Sequence, residues 1–250
     1  MRILLINPNT SPEMTGRAAE AARRYAGADT EIIAATGEFG CAVIASRASY
    51  AIAAHTALDL YAKHGAGADG VILACFGDPG LAALREVSSV PVIGLAGAAV
   101  AEAAEAARPF AIVTAGAAWV PMLGELVAAT PHVPLFRGVV ALDATGLSLV
   151  RNPDRFASEL GHALDRAVAA GAQTIILGGA AFAGTAHTLT AGARLIDPMQ
   201  SAIRAVERAV GENPVRNGLA AAASCAARGL SSELTSLLAG VVPPAGGTAS

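Results

Sequence analysis

The 250-residue sequence has few aromatic and few charged side chains, and both shortages restrict its function. Aromatic residues make up 4% and charged residues 15%, whereas 54% of the residues are hydrophobic. The net charge of −3 is spread along the chain without a long basic run. We therefore predict no nucleic acid partner and no binding to an anionic membrane surface.

Long apolar runs and a disulfide pattern are also missing. No stretch of about 18 residues is free of Gly, Pro and charge, so we predict no membrane span. The opening MRILLIN is too short for the core of a signal peptide and is typical of a strand. Cys41, Cys75 and Cys225 are an odd number of cysteines without metal-ligand spacing. They indicate a reduced, cytoplasmic compartment and predict no metal site.

One apparent nucleotide motif lies in the wrong context. The segment GAGADG, residues 65–70, fits the pattern G-x-G-x-x-G. A dinucleotide-binding loop must follow a strand and open a helix, so that the helix N-terminus meets the pyrophosphate. Here the segment closes a predicted helix and precedes a strand. We therefore predict no nicotinamide or flavin cofactor.

Short aliphatic runs alternate with Ala-rich helical stretches along most of the chain. Several of the runs are continuously apolar, as strands buried on both faces are. This alternation predicts an α/β fold with parallel sheets flanked by helices on both sides. The predicted strands are Arg2–Asn7, Glu31–Ala35, Gly70–Cys75, Pro91–Gly94, Phe110–Thr114, Leu135–Ala141, Thr174–Gly178 and Arg194–Asp197.

An internal repeat predicts two similar lobes. GADGVILACFGDPG (67–80) aligns without a gap on GAQTIILGGAAFAG (171–184), and VPVIGL (90–95) aligns on ARLIDP (193–198). We assign residues 1–97 and about 211–240 to the first lobe, 98–210 to the second, and 243–250 to a flexible tail. Ligands of open parallel sheets bind beyond the carboxyl ends of the strands. A pseudo-twofold arrangement would then place the active site in the cleft between the lobes.

The segments INPNTS (6–11), ACFGDPGL (74–81), PVIG (91–94) and ILG (176–178) resemble the aspartate/glutamate/hydantoin racemase superfamily, and its hydantoin and allantoin racemase branch most closely. The resemblance covers roughly residues 1–210. It implies a small-molecule substrate and no cofactor, and we also expect a homo-oligomer. It further implies two cysteines on opposite faces of the substrate carbon, one removing the α-proton and the other returning a proton.

By this resemblance Cys75 is the catalytic thiol of the first lobe. As a base it must be a thiolate, and a position after a strand beside a helix N-terminus is expected to lower its pKa. The second cysteine of the family is replaced by Gly179. This departure favours one-sided chemistry: decarboxylation, or hydrolysis or desulfuration of a hydantoin or thiohydantoin ring. Two alternatives stay open: a racemase with a non-cysteine second base, for which His187 is nearest, and a non-catalytic small-molecule-binding homologue.

Further site residues follow from the resemblance and from their positions at strand ends. Asn7 and Asn9 could donate amide hydrogen bonds, and Arg47, in a predicted loop, could clamp a carboxylate. Phe76 and Phe182 could form apolar walls. The predicted substrate-binding residues are Asn7, Asn9, Ser46, Arg47, Phe76, Gly77, Thr114, Ala115, Gly178 and Ala180.

Overall fold

The structure is a computed structural model that describes residues 1–142, 153–179, 182, 186, 189, 191–212 and 227–240. Eight parallel strands of this part of the chain form two four-stranded sheets. The predicted Ala180, His187, Cys225 and tail 243–250 lie outside the described residues.

The first sheet has the strand order β2-β1-β3-β4. Its continuously aliphatic central strands are buried on both faces, as predicted. The strands are β1 (Arg2–Asn7), β2 (Glu31–Thr36), β3 (Gly70–Leu73) and β4 (Val92–Gly94).

The second sheet has the equivalent order β6-β5-β7-β8. Its strands are β5 (Phe110–Ala115), β6 (Phe136–Leu142), β7 (Thr174–Gly178) and β8 (Arg194–Ile196). The pairs that the sequence repeat relates, β3 with β7 and β4 with β8, hold matching places in the two sheets. The predicted α/β fold with two similar lobes is confirmed.

Helices cover both faces of each sheet. The described helices are α1 (Pro12–Tyr25), α2 (Arg47–His64), α3 (Leu81–Val87), α4 (Leu95–Glu105), α5 (Trp119–Ala128), α6 (Pro153–Ala169), α7 (Pro198–Glu212) and α8 (Ser232–Leu238). Helices α1 and α7 pack on one face of the first sheet, and α2, α3 and α8 pack on the other. Helices α4 and α5 pack on one face of the second sheet, opposite α6.

Helix α7 returns to the first lobe earlier than the sequence predicted. Met199, Ala202, Ile203 and Val206 are buried against the first sheet, so the return begins near Pro198 and not near Gly211. The apolar stripe of this helix was visible in the sequence, but which sheet it covers was not. Within the described residues, no helix has both the length and the apolar character needed to cross a bilayer.

Candidate active site

A cavity of about 120 Å³ lies at the carboxyl ends of the two sheets. Both lobes contribute to its lining, as expected for ligand sites of open parallel sheets. The predicted residues that line the cavity are Asn7, Asn9, Cys75, Phe76, Thr114, Ala115 and Gly179. Ser46, Arg47, Gly77 and Gly178 are not among its lining residues.

Cys75 lies in a tight turn beyond the first-lobe strand. Strand β3 ends at Leu73, two residues earlier than predicted, and the half-buried thiol faces the cavity. The backbone N–H of Asp78 donates to the Cys75 carbonyl at 3.0 Å. The turn needs left-handed backbone at Gly77 (φ 127°), Asp78 (φ 56°) and Gly80 (φ 78°), which explains its two glycines.

The Asp78 carboxylate occupies the N-terminus of helix α4. Its oxygens accept the backbone N–H groups of Ala96 at 3.0 Å and Gly97 at 2.7 Å. The side chain is 6% exposed, and burial raises its pKa to about 6, although these hydrogen bonds act in the opposite direction. The amides at the N-terminus of α4 therefore bind a carboxylate of the protein itself.

The predicted lowering of the Cys75 pKa is wrong. Burial, and secondarily the negative charge of Asp78, raise the pKa of the Cys75 thiol to about 12. The amides at the N-terminus of α4 do not stabilise the thiolate, because they are bound to Asp78. At neutral pH Cys75 is therefore a neutral thiol, which is the protonated form a proton donor needs.

We expect Cys75 to be alkylated slowly at neutral pH. Because only the thiolate reacts, its iodoacetamide rate at pH 7 should be lower than that of the unfolded chain, whose thiols have a pKa near ~8.5. The rate should rise about tenfold per pH unit from pH 7 to 10 without a plateau. Mass spectrometry of the peptide that contains Cys75 measures this profile. A plateau below pH 9 would contradict the raised pKa.

Gly179 has room for a small side chain next to Phe182 and Thr114. Its φ is +139°, and a Cβ added there would lie 3.6 Å from Phe182 Cδ2 and 4.0 Å from Thr114 Oγ1. These are ordinary contact distances, so a small side chain fits sterically although the backbone disfavours it. Phe182 itself is fully buried in the core of the second lobe and is not among the residues that line the cavity, so its predicted place in the cavity wall is wrong.

Gly77 and Gly178 make room for aromatic rings that cross between the lobes. A Cβ on Gly178 would lie 2.4 Å from Phe76 Cε1, and one on Gly77 would lie 2.5 Å from Trp119 Cζ3. Each lobe thus inserts a ring against a glycine of the other lobe. The Tyr50 hydroxyl also donates to the Gly77 carbonyl at 2.8 Å. These contacts give both glycines a packing role beside the cavity.

Asn7 and Asn9 organise the turn between β1 and α1. The Asn7 amide donates to Asn9 Oδ1 at 2.9 Å and to Thr15 Oγ1 at 2.8 Å, so it is already bound within the protein. The Asn9 amide nitrogen has a weaker contact, 3.6 Å from the sulfur of Met14. Of the two amides, Asn9 is therefore the better placed to donate to a ligand.

Ser46 and Arg47 begin helix α2, where the sequence predicted a loop over the site. The Ser46 hydroxyl accepts the backbone N–H of Ser49 at 3.2 Å in a capping box. Arg47 forms a bidentate pair with Glu125 of α5, at 2.8 and 2.6 Å. Arg47, which was predicted to bind a substrate carboxylate, is therefore bound at the surface to the Glu125 carboxylate of the other lobe.

Asp197 is the functional candidate that the sequence analysis missed. It follows strand β8, lines the cavity and is 3% exposed. Its Oδ1 accepts the backbone N–H of Met199 at 2.9 Å, and its Oδ2 accepts the Tyr25 hydroxyl at 3.0 Å. Burial, and then Asp197, raise the pKa of Tyr25 to about 12, which keeps this donor protonated. The sequence repeat could have indicated Asp197, because it aligns this residue with Gly94 at the end of strand β4.

Apolar parts of the lining were also missed. Val43 and Ile44, from the loop between β2 and α2, and Trp119, Leu95 and Met199, from three helices, all contact the cavity. These residues carry no chemical motif and are far apart in sequence. Among the described residues, no cluster of three or more His, Cys, Asp and Glu side chains could hold a metal ion.

Two parallel sheets of equal topology, with one cavity at their carboxyl ends and a thiol beyond the end of a strand, define a two-lobed α/β protein with a cleft between its lobes. Residues 3–206 match the family described as Asp/Glu/Hydantoin racemase. The chain therefore belongs to the Asp/Glu/hydantoin racemase family.

Named relatives are similar over most of the chain. The hydantoin racemase of Rhizobium meliloti is 34% identical over 215 residues, which are 84% of this chain and 89% of that protein. The hydantoin racemase of Paenarthrobacter aurescens is 34% identical over 216 residues, 84% and 91% of the two chains. The structure of allantoin racemase from Klebsiella pneumoniae superimposes with a TM-score of 0.80 at 33% identity, covering 85% of this chain and 88% of that one.

Proposed function

We propose that this protein is a cofactor-independent isomerase that inverts the α-carbon of a small hydantoin-like ring. In this proposal Cys75 serves one face of the carbon and Asp197, a non-cysteine group, serves the other. The relatives named as hydantoin and allantoin racemases favour this function over the one-sided chemistry that Gly179 suggested.

The observation that carries the proposal is the pairing of Cys75 and Asp197 in one cavity. Among the described lining residues, they are the two side chains that can exchange a proton. Cys75 follows β3 of the first sheet, and Asp197 follows β8 of the second. A racemase needs a proton acceptor and a proton donor that approach one carbon from opposite sides. That the two groups follow strands of different sheets and line one cavity supports this assignment.

The reaction can be written as two proton transfers. The Asp197 carboxylate removes the proton from the α-carbon, and the electron pair of the C–H bond moves into the ring carbonyl as an enolate. The neutral Cys75 thiol then donates its proton to the opposite face and becomes a thiolate. In the reverse direction the thiolate removes the proton and the Asp197 carboxyl group returns one. The Asn9 amide is suitably placed to donate to the enolate oxygen.

The charges of the lining favour an uncharged substrate. The described lining residues include the Asp197 carboxylate but no Lys, Arg or His, and Arg47 is bound to Glu125 outside the cavity. A free carboxylate on the ligand would therefore face a negative charge without a compensating cation. Hydantoins and related ureides instead bring neutral carbonyl and N–H groups, which suit Asn9 and Asp197.

The direct test follows the α-proton of single enantiomers of a 5-substituted hydantoin in deuterated water. NMR measures exchange, chiral chromatography measures inversion, and L-glutamate serves as the charged comparison. We expect both hydantoin enantiomers to exchange and to interconvert, and glutamate to do neither. Exchange without inversion, or no reaction of hydantoin, would contradict the proposed racemase.

One-sided chemistry is the second candidate, and Gly179 is the observation that favours it. With no proton-carrying side chain at this position, Cys75 would act from one face only. The same assay separates the two functions, because decarboxylation or ring opening gives a product of different mass. A single-handed product with a new C–H bond would support this second candidate.

Gly179→Cys is expected to add a second thiol to the cavity at a cost in stability. The added Cβ fits at contact distance, but the φ of +139° is unfavourable for a side chain and should cost about 1–3 kcal/mol. We expect faster α-proton exchange than in Gly179→Ser, which has the same backbone strain without a thiol. Thermal unfolding and the exchange assay measure the two effects. Equal exchange rates in both variants would show that residue 179 does not face the substrate carbon.

Two further predictions accompany the proposal. We infer a cytoplasmic location from the odd number of cysteines without metal-ligand spacing, and we also expect a homo-oligomer. Fractionation of cells and light scattering of the purified protein test them.

A further inference from the structure

We propose that Asp78 is a positioning residue that acts through Cys75: it fastens the thiol-bearing turn to helix α4 and keeps the thiol in its proton-donating form. This inference rests on the proposed function for its catalytic meaning. Its test concerns the thiol alone and needs no substrate, so the two can fail separately.

The geometry shows a connection between the lobes through this carboxylate. Asp78 belongs to the turn that follows β3 of the first sheet, whereas α4 packs its buried residues against β5 and β7 of the second. The hydrogen bonds from Ala96 and Gly97 therefore link the catalytic turn to a helix of the opposite lobe. If the Cys75 turn and helix α4 move as one unit, Cys75 stays at a constant distance from the side of the cavity that the second lobe forms.

Close packing makes the contact specific for an aspartate. A Cβ on Gly94 would overlap the Asp78 carboxyl group, so this carboxyl group fills the space that a side chain at residue 94 would need. The left-handed φ of 56° at Asp78 is a strained conformation that the two hydrogen bonds help to maintain. A longer glutamate would not fit against Gly94. The strained backbone at Asp78 is what brings its carboxylate to the N-terminus of α4.

The electrostatic effect of Asp78 opposes the usual effect of a helix N-terminus. The free amides of a helix N-terminus stabilise a nearby thiolate, whereas Asp78 binds those of α4 and adds its own negative charge. Among the described residues, the other titratable groups around the turn and the cavity include Tyr50 from α2, which donates to Gly77, and Arg85 from α3, whose Nε donates to the Val92 carbonyl at 3.0 Å. Asp197, which lines the same cavity as Cys75, also belongs to this set. Among the described residues of the first turn of α4 there is no titratable side chain.

Asp78→Asn removes the charge while keeping the size of the side chain. In a Cys41→Ser, Cys225→Ser background, we expect the alkylation rate of Cys75 at pH 8 to rise at least about tenfold, corresponding to a fall of its pKa by one unit or more. Ultraviolet absorbance of the thiolate during a pH titration gives the same pKa directly. Fluorescence of Trp119, which packs over Gly77, shows whether the turn keeps its place.

Tyr50→Phe is the matched control for loosening of the turn. It removes the hydrogen bond to the Gly77 carbonyl but leaves Asp78 charged, so Cys75 should stay slow to react. If Asp78→Asn does not fold, Asp78→Ser replaces it, because serine also caps helix N-termini. Unchanged thiol reactivity in a folded Asp78 variant, or an equal rise in Tyr50→Phe, would overturn the proposal.

Discussion

Cys75→Ser is expected to lower the rate of hydantoin inversion by about a hundredfold to ten-thousandfold, the usual contribution of a positioned acid or base. A hydroxyl group matches the thiol in shape but is a much weaker acid at neutral pH, whereas Asp197 can still exchange the proton of one enantiomer on its own face. The turn should keep its structure, since its hydrogen bonds use the Cys75 carbonyl and not its side chain. Chiral chromatography of each hydantoin enantiomer measures the inversion rate, and NMR in deuterated water measures the exchange.

Cys41→Ser is the control for this prediction. Cys41 lies in the loop between β2 and α2, where its carbonyl accepts the Thr10 N–H at 3.1 Å, and its side chain does not line the cavity. Its replacement should leave the exchange rate within about twofold. Full activity of Cys75→Ser, or equal losses in both variants, would remove Cys75 from the reaction.

Asp197→Asn is expected to abolish inversion and to slow exchange of both enantiomers at neutral pH. With Asp197 neutralised, the neutral Cys75 thiol cannot remove a proton, so both rates should fall by about a hundredfold or more. At pH 10 a larger fraction of Cys75 is thiolate, so the enantiomer that presents its proton to Cys75 should alone regain exchange above the uncatalysed rate. Asparagine is as good a helix N-cap as aspartate, so the start of α7 should persist. Chiral chromatography and NMR on the same sample separate the two rates.

Glu207→Gln controls for the loss of a carboxylate on the same helix. Glu207 lies on α7, where it accepts the Gly27 N–H at 2.9 Å and the Thr30 hydroxyl at 2.7 Å, away from the cavity. It should leave inversion nearly unchanged. If Asp197→Asn inverts hydantoin normally, the second proton carrier is another group, and His187→Asn becomes the next variant to measure.

Hydrophobic patterning predicted the sheets closely because it is a local property. Each of the eight predicted strands overlaps an observed strand, with ends that differ by two residues or fewer, as at Gly70–Cys75 against Gly70–Leu73. Buried parallel strands are recognisable as continuous aliphatic runs between glycines and Ala-rich helices. The sequence repeat also relates the two lobes, because the strands that it aligns hold matching places in the two sheets. Helix α7 was misplaced because its apolar face alone does not say which sheet it covers.

The candidate site was predicted where its residues carry a motif. Cys75, Gly179, Asn7 and Asn9 lie in recognisable segments at strand ends, and all of them line the cavity. Ser46 and Arg47 were assigned to the site because a loop was expected there. Instead they begin helix α2, where Ser46 is the N-cap and Arg47 forms an ion pair with Glu125. Trp119 and Ile44 have no motif, so only the packing of the lobes brings them to the cavity.

The sequence by itself determined the class of fold, the family resemblance and the position of the single motif cysteine, since these depend on local pattern. The tertiary structure decided which charges surround that cysteine. It buried Cys75 and placed Asp78 on the α4 amides beside it, which in that order raise the pKa of the thiol, and it brought Asp197, 122 residues later in the chain, into the same cavity. A pKa depends on burial and on neighbours within a few ångströms, and these neighbours come from distant parts of the chain.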